Sequence, residues 1–186
     1  MTLLVAGLAL WTAAHFFKRL APGARASLAA ALGAGASKGV VAAVIAVGLV
    51  LIVVGYRGAG FSPVYDPPSW GIHLNNLLML VAVGLFGAAH SKSRARGWLR
   101  NPMLTGVVVW AVAHLLVNGD VASLVLFGWM GLWALAGILT IDAQEPVKPA
   151  PVGSVAGDVR LVVITLVAFA VIAFVHAWLG YYPFPQ

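Results

Sequence analysis

Histidine is the residue type in this chain most able to do chemistry, because the sequence has no cysteine and only five acids. Two of its five histidines have similar surroundings: Trp11 precedes His15 by four residues, and Trp110 precedes His114 by four. A ring one helical turn from an imidazole can wall a site for a flat cofactor. Neutral imidazoles from two helices can ligate haem iron from both faces. The histidines therefore predict a haem site, and their spacing leaves the ligand pair open.

Two of the histidines also have a plain structural interpretation. His73 is followed by Asn75 and Asn76, and such a polar group is as typical of contacts between helices as of ligation. His90 stands directly before Ser91 and Lys92. Because burying a charged or polar group is costly, we predict that His90 is a solvated boundary residue.

His114 is the hardest histidine to explain structurally. Trp110 lies one turn before it and Asn118 one turn after it, so the three would share one helix face. Ionisable residues within apolar spans often mark function, and we predict a functional role here. His176 is instead compatible with an interfacial position. Three aromatic residues typical of a membrane-interface belt follow it: Trp178, Tyr181 and Tyr182.

The elements that position these histidines are predicted to be membrane-spanning helices. Of the 186 residues, 62% are hydrophobic and 9% charged, and the mean hydropathy is +0.99. Soluble domains carry roughly 25% charged residues. Backbone groups in lipid must be satisfied within helices. We therefore predict an all-α, polytopic membrane bundle in a single domain, 1–186. It would have about six transmembrane segments: 1–17, 39–56, 70–90, 102–118, 120–140 and 159–180.

Short polar stretches mark where these helices begin and end. Asn101 and Pro102 read as the N-cap and first position of the fourth helix. Asn118, Gly119 and Asp120 leave room only for a tight turn, so the fourth and fifth helices should be adjacent and antiparallel, with Asp120 capping the fifth. Loop two, rich in proline, should be non-helical, and residues 145–157 should form a polar linker.

Positive charge predicts the orientation in the membrane. The formal charge is +6, but the cations concentrate in two loops, which indicates topology rather than nucleic-acid binding. Loop one has Lys18, Arg19, Arg25 and Lys38, and loop three has Lys92, Arg94, Arg96 and Arg100. Both loops should be cytoplasmic and both termini outside, periplasmic if the membrane is a bacterial inner membrane. The loop-three cations could also contact haem propionates or anionic lipids.

A run of residues in the second half of the chain resembles the signature of the NnrU family. It comprises Arg100-Asn101-Pro102-Met103-Leu104 and the stretch from Trp110 through His114 to Asp120. His15, the Trp70–His73 stretch and the residues around His176 are similar too. The family is linked to bacterial denitrification and is related to zeta-carotene isomerase, a membrane enzyme with b-type haem.

The resemblance implies that His15 and His114 are the two iron ligands. It also implies two departures from the isomerase pattern. The isomerase has a cysteine where this chain has Ala111, so a thiolate cannot replace a histidine here. At the position where the family usually has a histidine, this chain has Asn101. The orientation above separates His15 and His114 by about 13 Å in depth, whereas His73, His114 and His176 share one level near the outer surface. That triplet is the alternative site.

The leading functional hypothesis is a haem-b membrane protein in nitrogen-oxide metabolism, with a redox or maturation role. Trp11, Trp110, Asn118, His73 and His176 are the further candidates for cofactor contacts. One alternative is a haem-dependent isomerase of a polyene or lipid, and loss of the cysteine argues against it. The other is a non-enzymatic membrane assembly subunit. The expected partners are the lipid bilayer and a redox or assembly protein, with no nucleic acid.

Overall fold

The chain is all-α, as predicted. The computed structural model describes residues 1–147, 149 and 152–184, and it is 77% helical with no β-strand in that part of the chain. The described residues form a short 3-10 helix, Arg94–Gly97, and seven α-helices: α1 Thr2–Leu20, α2 Pro22–Leu32, α3 Ala34–Arg57, α4 Gly71–His90, α5 Pro102–Leu115, α6 Val121–Gln144 and α7 Val155–Trp178.

Five of these helices, α1, α3, α4, α6 and α7, are long and apolar enough to cross a bilayer. The chain is therefore an integral membrane protein. The fourth predicted span, α5, has 14 residues, or about 21 Å at 1.5 Å per residue, which is less than the roughly 30 Å hydrocarbon core. The predicted helix over 102–118 was too long by three residues. At the end of α5 the backbone carbonyls accept hydrogen bonds from the side chains of Asn118 and Tyr65.

The largest difference from the prediction lies in loop one. Residues 22–32 form α2, which the hydropathy pattern did not indicate. Pro22 suits the first turn of a helix, and Gly33 ends α2 with a positive φ of 82°, a conformation that other residues rarely adopt. α1 is also longer than predicted. Lys18 and Arg19 extend its last turn, where cations interact favourably with the helix dipole.

The predicted boundary chemistry is largely confirmed. Asn101 is the N-cap of α5 with Pro102 in its first turn, and the Oδ1 atom of Asp120 accepts a hydrogen bond from the backbone N–H of Ser123 at 3.1 Å. Loop two is non-helical. The linker is shorter than predicted because Ser154 caps α7, which begins at Val155. Residues 148, 150 and 151 of that linker lie outside the described residues.

The chain divides into two compact units. The first comprises Met1–Ser62 and Asp120–Trp129. Its main feature is the close packing of α1 against α3 through glycines. A Cβ atom on Gly7 would lie 2.6 Å from the backbone nitrogen of Ile52, and one on Gly55 would overlap the backbone nitrogen of Leu4. The helix backbones can therefore touch, as small residues allow in membrane bundles.

Three polar contacts also hold the first unit. The indole N–H of Trp129 donates to the Thr12 hydroxyl at 3.0 Å. The hydroxyl groups of Tyr56 and Ser123 lie 2.9 Å apart, and that of Ser123 donates to Asp120 at 2.5 Å. Ser123 is fully buried, so these bonds satisfy a hydroxyl group that would otherwise be costly in an apolar core.

The second unit comprises the described residues of Pro63–Gly119 and Met130–Gln186, with α4 packed against both α5 and α7. α5 and the later part of α6 are antiparallel neighbours, as predicted. A Cβ atom on Gly131 would lie 3.2 Å from that of Ala111, and one on Gly137 would lie 3.1 Å from the Leu104 side chain. The Asn101 amide donates to Asp142 at 2.9 Å. Later residues of α6 thus meet earlier residues of α5.

The polar segment after α4 is tied to the start of α7. The buried Ser93 hydroxyl donates to Asp158 Oδ1 at 2.6 Å, and the Arg94 Nε–H donates to Oδ2 of the same carboxylate at 2.5 Å. The Ser154 N–H donates to the Lys92 carbonyl at 3.0 Å. These bonds hold α4 and α7 together at one end of the second unit. The other end, where α4 begins and α5 and α7 end, is called the His114 end below.

Candidate functional site

His114 lies one residue before the end of α5, and its imidazole is held by its own helix. The Nδ1 atom is 2.9 Å from the carbonyl oxygen of Trp110, and the indole and imidazole centroids are 5.0 Å apart with planes inclined at 50°. A carbonyl oxygen can only accept, so Nδ1 must carry the hydrogen. The neutral imidazole then has its lone pair on Nε2.

His15 has the same local geometry on α1. Its Nδ1 atom is 2.9 Å from the Trp11 carbonyl oxygen, and the two ring centroids are 4.3 Å apart at 34°. The resemblance between the two sequence stretches therefore extends to side-chain arrangement. His15 belongs to the first unit and His114 to the second, so their pairing stays a prediction.

This hydrogen bond matters because it selects a tautomer. A histidine that binds a metal through Nε2 commonly donates its Nδ1–H to a carbonyl or carboxylate, which orients the ring and raises the basicity of the ligand nitrogen. His15 and His114 both have that arrangement, and their acceptor is supplied by a residue four positions earlier. Both imidazoles therefore have their lone pair on Nε2.

His176, near the end of α7, has the same kind of hydrogen bond with a different neighbour. Its Nδ1 atom is 2.8 Å from the Ile172 carbonyl oxygen, so its Nε2 also has the lone pair. The ring is exposed. In contrast with the other two, the residue four positions earlier is aliphatic, so no indole flanks this imidazole on its own helix.

A cavity of about 370 Å³ lies between α4, α5 and α7 of the second unit. His114 and His176 both line it, together with Trp110. α4 contributes Met79, Val83, Phe86 and Gly87, and α7 contributes Ile164, Thr165, Ala168 and Ile172. The structure thus brings two members of the predicted outer triplet to one cavity. His73 is exposed and is not part of this lining.

The end of α5 is held by residues on both sides of His114 in sequence. The Asn118 amide, a predicted contact residue, donates to the His114 carbonyl at 2.8 Å. The Tyr65 hydroxyl donates to the carbonyl of Leu115 and lies 3.0 Å from that of Asn118. These bonds satisfy carbonyls that a helix end leaves without partners. Sequence reasoning missed Tyr65, because nothing in loop two indicates which helix end it would meet.

Replacing Tyr65 by phenylalanine should loosen the turn that follows His114. The ring would be retained, but the carbonyls of Leu115 and Asn118 would lose their side-chain donor. We expect a loss of about 1–2 kcal/mol in the free energy of unfolding, measured by denaturant titration in detergent. Tyr181→Phe is the matched control, since it also removes the hydroxyl group of an exposed tyrosine. Equal stability of the two variants would contradict this role for Tyr65.

Two of the four predicted loop-three cations have carboxylate partners within the second unit. Arg94 pairs with Asp158 at 2.5 Å and Arg100 with Asp142 at 3.0 Å. Arg100 also donates to the Glu145 carbonyl at 2.6 Å. These arginines therefore have structural roles. Among the described residues, no three histidine or acidic side chains cluster in a way that could hold a metal ion.

One protein-family model, described as NnrU protein, matches residues 3–183 of the chain. The chain has no match among curated proteins and none among solved structures. The matched range includes both Trp–His pairs, the cavity, and the Asn101–Pro102 start of α5. It confirms the family that the stretch from Arg100 to Asp120 resembles, and it extends over nearly the whole sequence. The chain therefore belongs to the NnrU family.

Proposed function

We propose that this membrane protein binds haem b through His15 and His114. The observation that carries the proposal is the matched state of the two imidazoles, each donating Nδ1–H to the carbonyl of a tryptophan one turn earlier. Both rings then offer Nε2, the nitrogen that a haem ligand uses. The donor set fits haem iron, which accepts two neutral imidazoles without needing a nearby acid.

The surrounding residues have distinct parts in this proposal. Trp11 and Trp110 pack beside the two imidazoles, each against one side of a ring. Asn118 and Tyr65 hold the end of α5 and so restrict movement of His114. When bound, haem would supply one-electron redox chemistry. Ala111 has only a methyl group and is packed near Gly131 of α6, so this position offers no thiolate ligand.

The proposal is tested by the visible spectrum of the purified protein expressed with added haem. We expect a Soret band, the two sharp visible bands of low-spin iron on reduction, and a pyridine haemochrome of the b type. Circular dichroism of the same sample reports whether the helices are formed. A helical preparation without a Soret band would overturn the proposal.

We further propose a redox or maturation role in nitrogen-oxide metabolism, in a bacterial inner membrane with both termini periplasmic. Family membership supports the metabolic role, and the cations of loops one and three support the orientation. A denitrifying strain lacking the protein should accumulate a nitrogen-oxide intermediate during anaerobic growth on nitrate. Unaltered nitrogen-oxide levels in that strain would contradict the metabolic role, whatever the haem content.

A further inference from the structure

The cavity of the second unit extends along α7 and is open on one side, since Ile164 and Ile172 of its lining are exposed. Its lining on α7 extends from Ile164 to His176, twelve residues apart, which corresponds to roughly 18 Å along the helix. Dividing the volume of about 370 Å³ by this length gives a mean cross-section on the order of 20 Å². A cavity of that mean cross-section fits one hydrocarbon chain.

Two histidines lie at one end of this cavity. His114 and His176 line it at the His114 end, while the remaining lining is apolar except for Trp110 and Thr165. His176 Nδ1 is engaged by the Ile172 carbonyl, and its Nε2 has no hydrogen-bond partner among the described residues. In its neutral form this nitrogen is an acceptor. A ligand that uses it must therefore bring a donor.

We propose that the cavity binds a single-chain lipid alcohol, with the hydrocarbon chain between α4 and α7 and the hydroxyl group donating to His176 Nε2. His176 lies at the same end of α7 as the exposed residues Trp178 and Tyr181, which are of the kind found where bilayer meets water. The proposal concerns the protein prepared without haem, because His114, the proposed iron ligand, lines the same cavity.

The test compares tetradecanol with tetradecyl methyl ether, which has the same chain but no hydrogen to donate. Binding to the full-length protein in detergent is measured by titration with native mass spectrometry. We expect one alcohol molecule per chain and roughly tenfold weaker binding of the ether, the usual effect of one hydrogen bond. In the His176→Ala variant, the affinity for the alcohol should fall by about the same factor, and the affinity for the ether should not change.

A second pair of variants tests whether the cavity is the site. Ala168→Phe places a ring within the cavity and should abolish binding of both compounds. Val171→Phe adds the same ring on an exposed face of α7 outside the lining and should leave both affinities unchanged. Equal affinity for alcohol and ether, or binding that survives Ala168→Phe, would overturn the proposal and indicate non-specific uptake of lipid chains. All samples are prepared without haem and checked for the absence of a Soret band, so this outcome is independent of the haem proposal.

Discussion

Replacing His114 by alanine should abolish the Soret band of the haem-loaded protein, or convert its low-spin spectrum to that of five-coordinate iron. The substitution removes the Nε2 lone pair that is oriented by the Nδ1 hydrogen bond to Trp110. No other residue of α5 offers an equivalent nitrogen, since His114 is the only histidine in that helix. The absorbance spectrum, normalised to protein and recorded in both oxidation states, measures the effect.

Further histidine variants identify the second ligand. His15→Ala should have the same effect as His114→Ala, because its imidazole has the matching hydrogen bond and tryptophan contact. His90→Ala is the control, since that residue is exposed at the end of α4 and outside both Trp–His pairs. An unchanged spectrum in His114→Ala would exclude His114 as a ligand. Loss of the band in His176→Ala, with His15→Ala unaffected, would favour the alternative pair at the cavity.

Replacing Gly55 by alanine should cost at least about 3 kcal/mol in the free energy of unfolding, the upper part of the usual range for overpacking. A methyl group there would overlap backbone atoms of Leu3 and Leu4. A side chain could rotate away, but a backbone can respond only by separating α1 from α3. Because α1 carries His15, haem retention should also fall. Stability is measured by following helix content through a denaturant titration in detergent micelles.

Gly39→Ala provides the matched control on the same helix. Gly39 also lies within α3, but a Cβ atom there would meet no atom within 4 Å. We expect its stability to change by less than about 1 kcal/mol, in the direction set by the better helix propensity of alanine. Equal stability of the two alanine variants would show that α1 and α3 do not approach closely at Gly55.

Hydropathy and local spacing were sufficient to predict much of this protein. Six of the seven described helices coincide with predicted apolar segments, because each such run must satisfy its backbone in lipid. The paired Trp–His stretches could also be recognised from the sequence. Their hydrogen bonds and ring contacts connect residues four apart, and helix geometry alone brings such residues together. α2 was missed because its residues are mixed in polarity and none is buried.

The sequence by itself therefore determined the membrane class, the family and the local state of each ligand-competent histidine. Only the tertiary structure decided which distant residues meet. It brought Tyr65 to the end of α5, Ser93 to Asp158, and His176 to the cavity that His114 also lines. These contacts join residues about fifty or more positions apart. They depend on which helix faces pack together, and apolar faces that look alike in hydropathy do not specify that choice.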